Sequence, residues 1–161
     1  MLDTGFPRAD AENEFLRARR HQILATLTRR LRHQAANSDR LLVLDEVTGA
    51  LGWRGERHLG LQTIRLDTIV GTAGARRDFD RHFRPTSNRV RSRWEQLALA
   101  ERRGAAIPPI EVYRVGRLHF VSDGHHRASI AASARQQTID AYVTEILTSV
   151  PLKGTTRPLA A

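Results

Sequence analysis

One stretch of the chain, from Ile107 to Leu147, changes its hydrophobic period along its length, and this sets the fold class. Pro108 and Pro109 stop any helix arriving from the N-terminal side. IEVYRV and LHFVS then flank Gly116-Arg117, the pattern of a β-hairpin. DGHHR follows, and after it ASIAASARQQ, a run of small residues suited to a helix packed closely on a sheet. TIDAYVTEIL, 138–147, alternates Ile139, Ala141 and Val143 with polar residues and reads as a closing strand. Hairpin, helix and strand in that order predict an α/β fold with a small mixed sheet.

Upstream, residues 10–36 read as one long helix capped by Asp10, with Glu12 and Glu14 in its first turn. Leu16, Ile23, Leu27 and Leu31 fall on one face, with Arg17, Arg29 and Arg32 opposite, and Asn37-Ser38 ends the run. Leu41 to Leu44 leads into a short helix ending near Gly52, weakened by Gly49. Residues 53–60, WRGERHLG, read as a loop, and LQTIRL, 61–66, as a strand. Residues 71–87 read as mostly irregular. Ser87 is a candidate N-cap for a helix over 88–103, with Val90, Trp94 and Leu97 as its buried stripe. The expected organisation is a helical extension over 1–38, a main domain over 39–147 and a loose tail over 148–161.

Charge bears on partners. The 161 residues carry 26 basic and 17 acidic side chains, a net charge of +9. The excess favours anionic partners, namely nucleotides, nucleic acid or acidic protein surfaces. It is concentrated: residues 72–106 hold nine basic and four acidic residues, whereas 107–147 hold four of each. The chain has no cysteine, which removes disulfides, cysteine-liganded zinc and thiol chemistry. It shows no apolar signal core near Met1 and no apolar run of the roughly 18 residues that cross a bilayer. A cytoplasmic protein with no membrane partner is the expectation.

The segment Phe120 to Ala128 carries the chemistry. A strand ends, Gly124 permits a tight turn, and a helix begins. Helix starts carry positive dipole density and suit phosphate or carboxylate. Arg127, in the first turn, has the fork that grips phosphate oxygens. His125 and His126 are neighbours and point in different directions, so one of them at most faces a ligand there. Asp123 suits a metal shared with phosphate, or the proton of an attacking hydroxyl. A plainer reading fits too: Asp123 caps the helix, Gly124 makes the turn and Arg127 pairs with a carboxylate.

These residues resemble the N-terminal domain of ParB-type partition proteins, in the ParB/sulfiredoxin superfamily. That family shows a PPI-V strand, a turn, a strand ending in a Gly-x-x-Arg box, a small-residue helix and a closing strand. Here the box is Gly124-His125-His126-Arg127, and LQTIRLDTIVG, 61–71, is similar to the family's opening strand. The likeness covers about residues 61–147 and leaves 1–60 uncovered. The block RHFRPTSNRVRSRWEQL resembles segments of small, single-domain ParB-like proteins of actinobacteria. The resemblance implies a ParB/sulfiredoxin-like domain with an N-terminal helical extension, and a nucleotide (CTP, ATP or ADP) held at Gly124, His125, His126 and Arg127. The expectation is that the helix-turn-helix domain through which ParB proteins load on DNA, and a Glu-Asn-x-x-Arg motif, are not among these 161 residues. Sulfiredoxin chemistry needs a cysteine beside its His-Arg pair. The serine-kinase branch has a similar Asp-Gly-His-Thr-Arg box, yet needs a glutamate where this chain offers Asp67.

Arg84, Arg89, Arg91 and Arg93 gather before and within the helix that starts near Asn88. Arg89 and Arg93, four apart, share a face that suits nucleic-acid phosphates, assistance to the box, or plain solvation. Aromatic residues are 6% of the chain and are not interleaved with these arginines, which disfavours a single-strand stacking platform. Trp94 and Trp53 are assigned to the core. His21, His33, His58 and His82 are scattered, without metal-ligand spacing. Alternation turns His119 toward solvent or a site.

The leading expectation is a regulatory protein that binds a nucleotide or nucleic-acid phosphate at the box. The alternative is an enzyme of the same superfamily, a small-molecule phosphotransferase or metal-dependent nuclease. Asp123, His125 or His126 would then be catalytic, and Mg²⁺ the cofactor. Helix 10–36 as a dimerisation arm makes a homodimer a third candidate.

Overall fold

The computed structural model describes residues 7–31 and 39–149, with side chains for 7–19 and 39–149. The chain has α/β architecture and divides into two compact units. One, mostly helical, takes Met1–Arg40, Arg77–Pro108 and His126–Arg135. The other takes Leu41–Arg76, Pro109–His125 and Gln136–Ala161 and contains the sheet.

Among the described residues, the sheet unit holds six strands, one short α-helix and a 3₁₀ turn over Leu66–Thr68. The strands are β1 (Leu42–Val43), β2 (Trp53–Arg65), β3 (Ile69–Thr72), β4 (Ile110–Val115), β5 (Leu118–Asp123) and β6 (Thr138–Thr148). Their order is β1-β3-β5-β4-β6-β2. β4 pairs antiparallel with β5, as the Gly116 turn predicts, and β2 antiparallel with β6; the other three pairings are parallel. The helix α1 (Pro7–Leu31) belongs to the other unit, and the short helix here is α2 (Leu44–Leu51). Leu44, Val70, Val115, Phe120 and Ile146 form a buried apolar cluster, with Val47 and Leu51 of α2 packed against it. Gly71 is required where β3 runs between β1 and β5. A Cβ there would press on the Leu42 carbonyl oxygen and lie 2.5 Å from the Phe120 ring.

Several expectations need correction. Residues 53–60 are not a loop: β2 runs unbroken from Trp53 to Arg65. The glycines that suggested a loop sit at two register shifts against β6, between Trp53 and Gly55 and between His58 and Gly60. Gly55 (φ 156°) and Gly60 (φ 76°) take the backbone angles that such bulges use. Cross-strand side chains hold the paired length. Arg57 Nε donates to Glu145 Oε2 at 3.0 Å, Arg114 Nη2 donates to Glu145 Oε1 at 2.7 Å, and His58 Nδ1 lies 3.0 Å from Thr144 Oγ1. The hydrogen bond from Arg114, with help from Arg57, holds the Glu145 carboxyl below its usual pKa despite partial burial. Trp53 is on the surface at 58% exposure rather than in the core. The irregular segment 71–87 begins two residues later than expected, since Gly71 and Thr72 complete β3.

The helical unit contains α1, the segment 77–90, α3 (Arg91–Arg102) and most of α4 (His125–Ser133). α1 starts with Pro7, whose fixed φ suits a first helical position, so Asp10 lies inside the first turn rather than capping it. Phe15, with Ala11 and Ala18, makes the buried stripe; Leu16 is 46% exposed, because Phe15 beside it takes the inward direction. Ile23, Leu27, Leu31, Arg29, Arg32, His21 and His33 fall outside the described side chains, as does the expected continuation to residue 36.

Phe15 meets Trp94 edge to face, with ring centroids 5.5 Å apart and both side chains fully buried. Trp94 Nε1 donates to Ser129 Oγ of α4 at 2.9 Å, which satisfies the buried indole N–H. Arg102 Nη2 donates to Glu14 at 2.9 Å and its Nη1 lies 3.8 Å from buried Asp10. Ser87 is extended (φ −146°, ψ 163°) and makes no capping bond; a 3₁₀ turn over Asn88–Val90 precedes α3.

Candidate phosphate site

The end of β5 and the start of α4 build the corner that carries Asp123 to Arg127. β5 ends at Asp123, Gly124 turns the chain with φ 96°, and α4 begins at His125. Few side-chain-bearing residues adopt that φ. The boundary between the two units falls inside this box, after His125.

On the sheet side, His125 is buried at 4% exposure and its Nε2 lies 2.8 Å from Thr72 Oγ1. Thr72 is itself 1% exposed and ends β3. The pair ties the first residue of α4 to a neighbouring strand. Asp123 is exposed and stands opposite Glu111 in the β4–β5 ladder. Ser122 Oγ donates to the Glu111 carbonyl at 3.2 Å.

On the helical side, His126 meets Phe79 edge on, with centroids 5.4 Å apart. Arg127 Nη1 donates to the Pro108 carbonyl at 2.9 Å, so the guanidinium is oriented by backbone rather than by a carboxylate in that contact. His125 and His126 point in different directions, as adjacency requires.

Arg84, Arg89, Arg91 and Arg93 separate into two kinds. Arg84 Nε donates to Asp80 Oδ2 at 2.7 Å, and Arg91 Nε donates to Glu95 Oε1 at 2.6 Å. The Arg91 guanidinium also lies 5.9 Å from the Phe15 ring centroid. Arg89 and Arg93 are both exposed. Asp80 organises the turn before α3: its Oδ1 accepts from the amides of His82 and Arg84, each at 2.9 Å. Burial pushes the Asp80 pKa up, against the opposing pull of Arg84.

A cavity of about 440 Å³ lies in the helical unit, lined by Asp10, Glu14 and Arg17 of α1, Arg84, Arg102 and the end of α4. Two of its arginines are ion-paired: Arg102 faces Asp10 and Glu14, and Arg84 is held by Asp80. Arg17 and Arg135 also line it and make no ion pair with another described residue.

His119 differs from expectation. It is 7% exposed, and its Nδ1 lies 2.8 Å from Thr68 Oγ1. That hydroxyl donates to the Arg65 carbonyl at 2.6 Å, so it accepts from His119, which fixes the proton on Nδ1. Burial, and to a smaller degree Arg114, lower its pKa to about 4. Neighbouring β3 removes the solvent that simple alternation would have given it.

Sequence reasoning missed Thr72 and the Pro108 carbonyl. Thr72 left a trace, being the polar end of the apolar run Ile69-Val70-Gly71. A backbone acceptor leaves none. Among the described residues no group of three or more His, Asp or Glu is placed to hold a metal ion, and no helix is long and apolar enough to cross a membrane. Compared with family models, curated proteins and solved structures, the chain matches none of them.

Proposed function

We propose that the chain binds the phosphate of a nucleotide or of nucleic acid at Gly124–Arg127. The observation that carries this reading is the corner pinned by Thr72 and His125, with Gly124 at φ 96°. The bond holds the first residue of α4 beside the end of β3, and Arg127 adds a full charge within that first turn. In this reading Arg89 and Arg93 attract phosphates from the surface, and Arg84 and Arg91 are structural. A ParB/sulfiredoxin-like fold, with CTP, ATP or ADP as the ligand, is the form of the proposal that the Gly-x-x-Arg resemblance favours.

Binding suits the box better than proton transfer does. His125 is buried and engaged with Thr72, which fits a positioning role. Asp123 is the exposed carboxylate of the box and the residue through which Mg²⁺-assisted turnover would act.

The test is thermal stabilisation by CTP, ATP, ADP, inorganic phosphate and a short DNA duplex, each with and without Mg²⁺. A ligand that prefers the native state raises the melting temperature. The expected result is a shift that disappears in a folded Arg127→Ala variant. A shift of the same size in that variant, or none with any ligand in the wild type, overturns the proposal. Product formation lost in Asp123→Asn would replace binding with catalysis.

A further inference from the structure

β2 lies at the edge of the sheet, with β6 as its sheet neighbour. Among the described strands it is the longest, Trp53–Arg65, and much of it is exposed. Leu61 is 56% exposed and stands opposite Tyr142, which is 52% exposed. An edge strand presents a row of unpaired backbone N–H and C=O groups, a template for pairing with another chain. The question is which chain this edge fits.

We propose that it fits a second copy of itself, joined antiparallel through β2 with Leu61 on the two-fold axis. Such an axis, normal to the sheet, sets one residue of β2 opposite its own counterpart and pairs the flanking residues reciprocally. The positions along β2 are counted by their partners on β6, which skips Arg54 and Leu59 at the two register shifts. With Leu61 as pivot, Glu56 falls opposite Arg65 of the second copy, and Arg65 opposite the second copy's Glu56. Glu56, Leu61 and Arg65 partner Ile146, Tyr142 and Thr138, alternate positions of β6, so all three share one face. No other pivot from His58 to Thr63 sets unlike charges opposite each other. A pivot at Arg57 sets that arginine against itself.

Both charged residues are exposed. Glu56 makes no ion pair with another described residue, and Arg65 pairs with Asp67 at the strand's end. The self-complementary charge pattern selects both partner and register. Opposite charges directly across an antiparallel ladder stabilise it, and like charges destabilise it. Pairing also satisfies the outward backbone groups of β2 and covers Leu61.

The test uses the full chain at about 0.15 M salt, where the net charge is largely screened. Sedimentation equilibrium is run on the wild type, Glu56→Arg, Arg65→Glu and the double swap. The wild type is expected to dimerise. Each single change is expected to raise the dimer dissociation constant about tenfold or more, and the double swap to restore most of it. Amide exchange in β2 should slow as wild-type concentration rises. A wild type that stays monomeric at high micromolar concentration overturns the proposal. So does a dimer indifferent to the single changes, or a double swap no better than the singles. Circular dichroism checks that these surface variants keep the fold.

Discussion

Thr72 and His125 meet through a 2.8 Å hydrogen bond that joins the last residue of β3 to the first residue of α4. Both are buried. Removal of that bond tests whether the corner is held by side chains or only by the strand ladder. Thr72→Val keeps the shape and removes the hydroxyl. It should lower stability by about 1–2 kcal/mol, read from urea unfolding. It should also weaken any nucleotide-dependent thermal shift while leaving Arg127 in place.

His119 makes stability depend on pH. Its folded pKa is lowered from 6.5 to about 4, so the neutral ring is favoured in the native state. Between those values the unfolded chain binds more protons than the folded one. This contribution is therefore complete above about pH 6.5 and is lost as pH falls toward 4, to a total of up to about 3 kcal/mol. Urea midpoints at neutral and mildly acidic pH should diverge in the wild type and move closer together in His119→Gln. An equal divergence in the variant would assign the effect to other groups.

Ser129→Ala isolates one polar contact in the helical core. Trp94 Nε1 donates to Ser129 Oγ, and the indole is fully buried. Without its acceptor the N–H should cost about 1–3 kcal/mol. Urea unfolding followed by the quenching of Trp94 measures it. Trp53 is already exposed and should contribute little change to that signal.

The hairpin and β6 were legible from their alternation and from clear punctuation: the two prolines, Gly116 and Gly124. The small-residue helix was legible in kind only, since α4 starts at His125 and ends at Ser133 rather than running through ASIAASARQQ. β2 was half legible. Gly55 and Gly60 looked like loop residues, although a long antiparallel partner turns such glycines into bulges. The inward direction of α1 was misassigned because Leu16 and Phe15 are adjacent and both apolar, and only packing against Trp94 decides between them. The box residues were legible as a motif. Their supports were not: Thr72 is distant in sequence, and the Pro108 carbonyl belongs to no side chain. His119 was misplaced because alternation assigns a face and says nothing of what covers it.

The chain passes from one unit to the other after Arg40, Arg76, Pro108, His125 and Arg135. Neither unit is a continuous piece of sequence, so no single cut releases either intact. Deleting residues up to Arg40 removes Phe15 from the helical core, and an isolated fragment beginning at Leu41 lacks half of the Phe15–Trp94 contact. Long loops must close before either core is complete, which predicts slow folding for a chain of this size. Fragments, tags and fusions are therefore better placed at the ends than within.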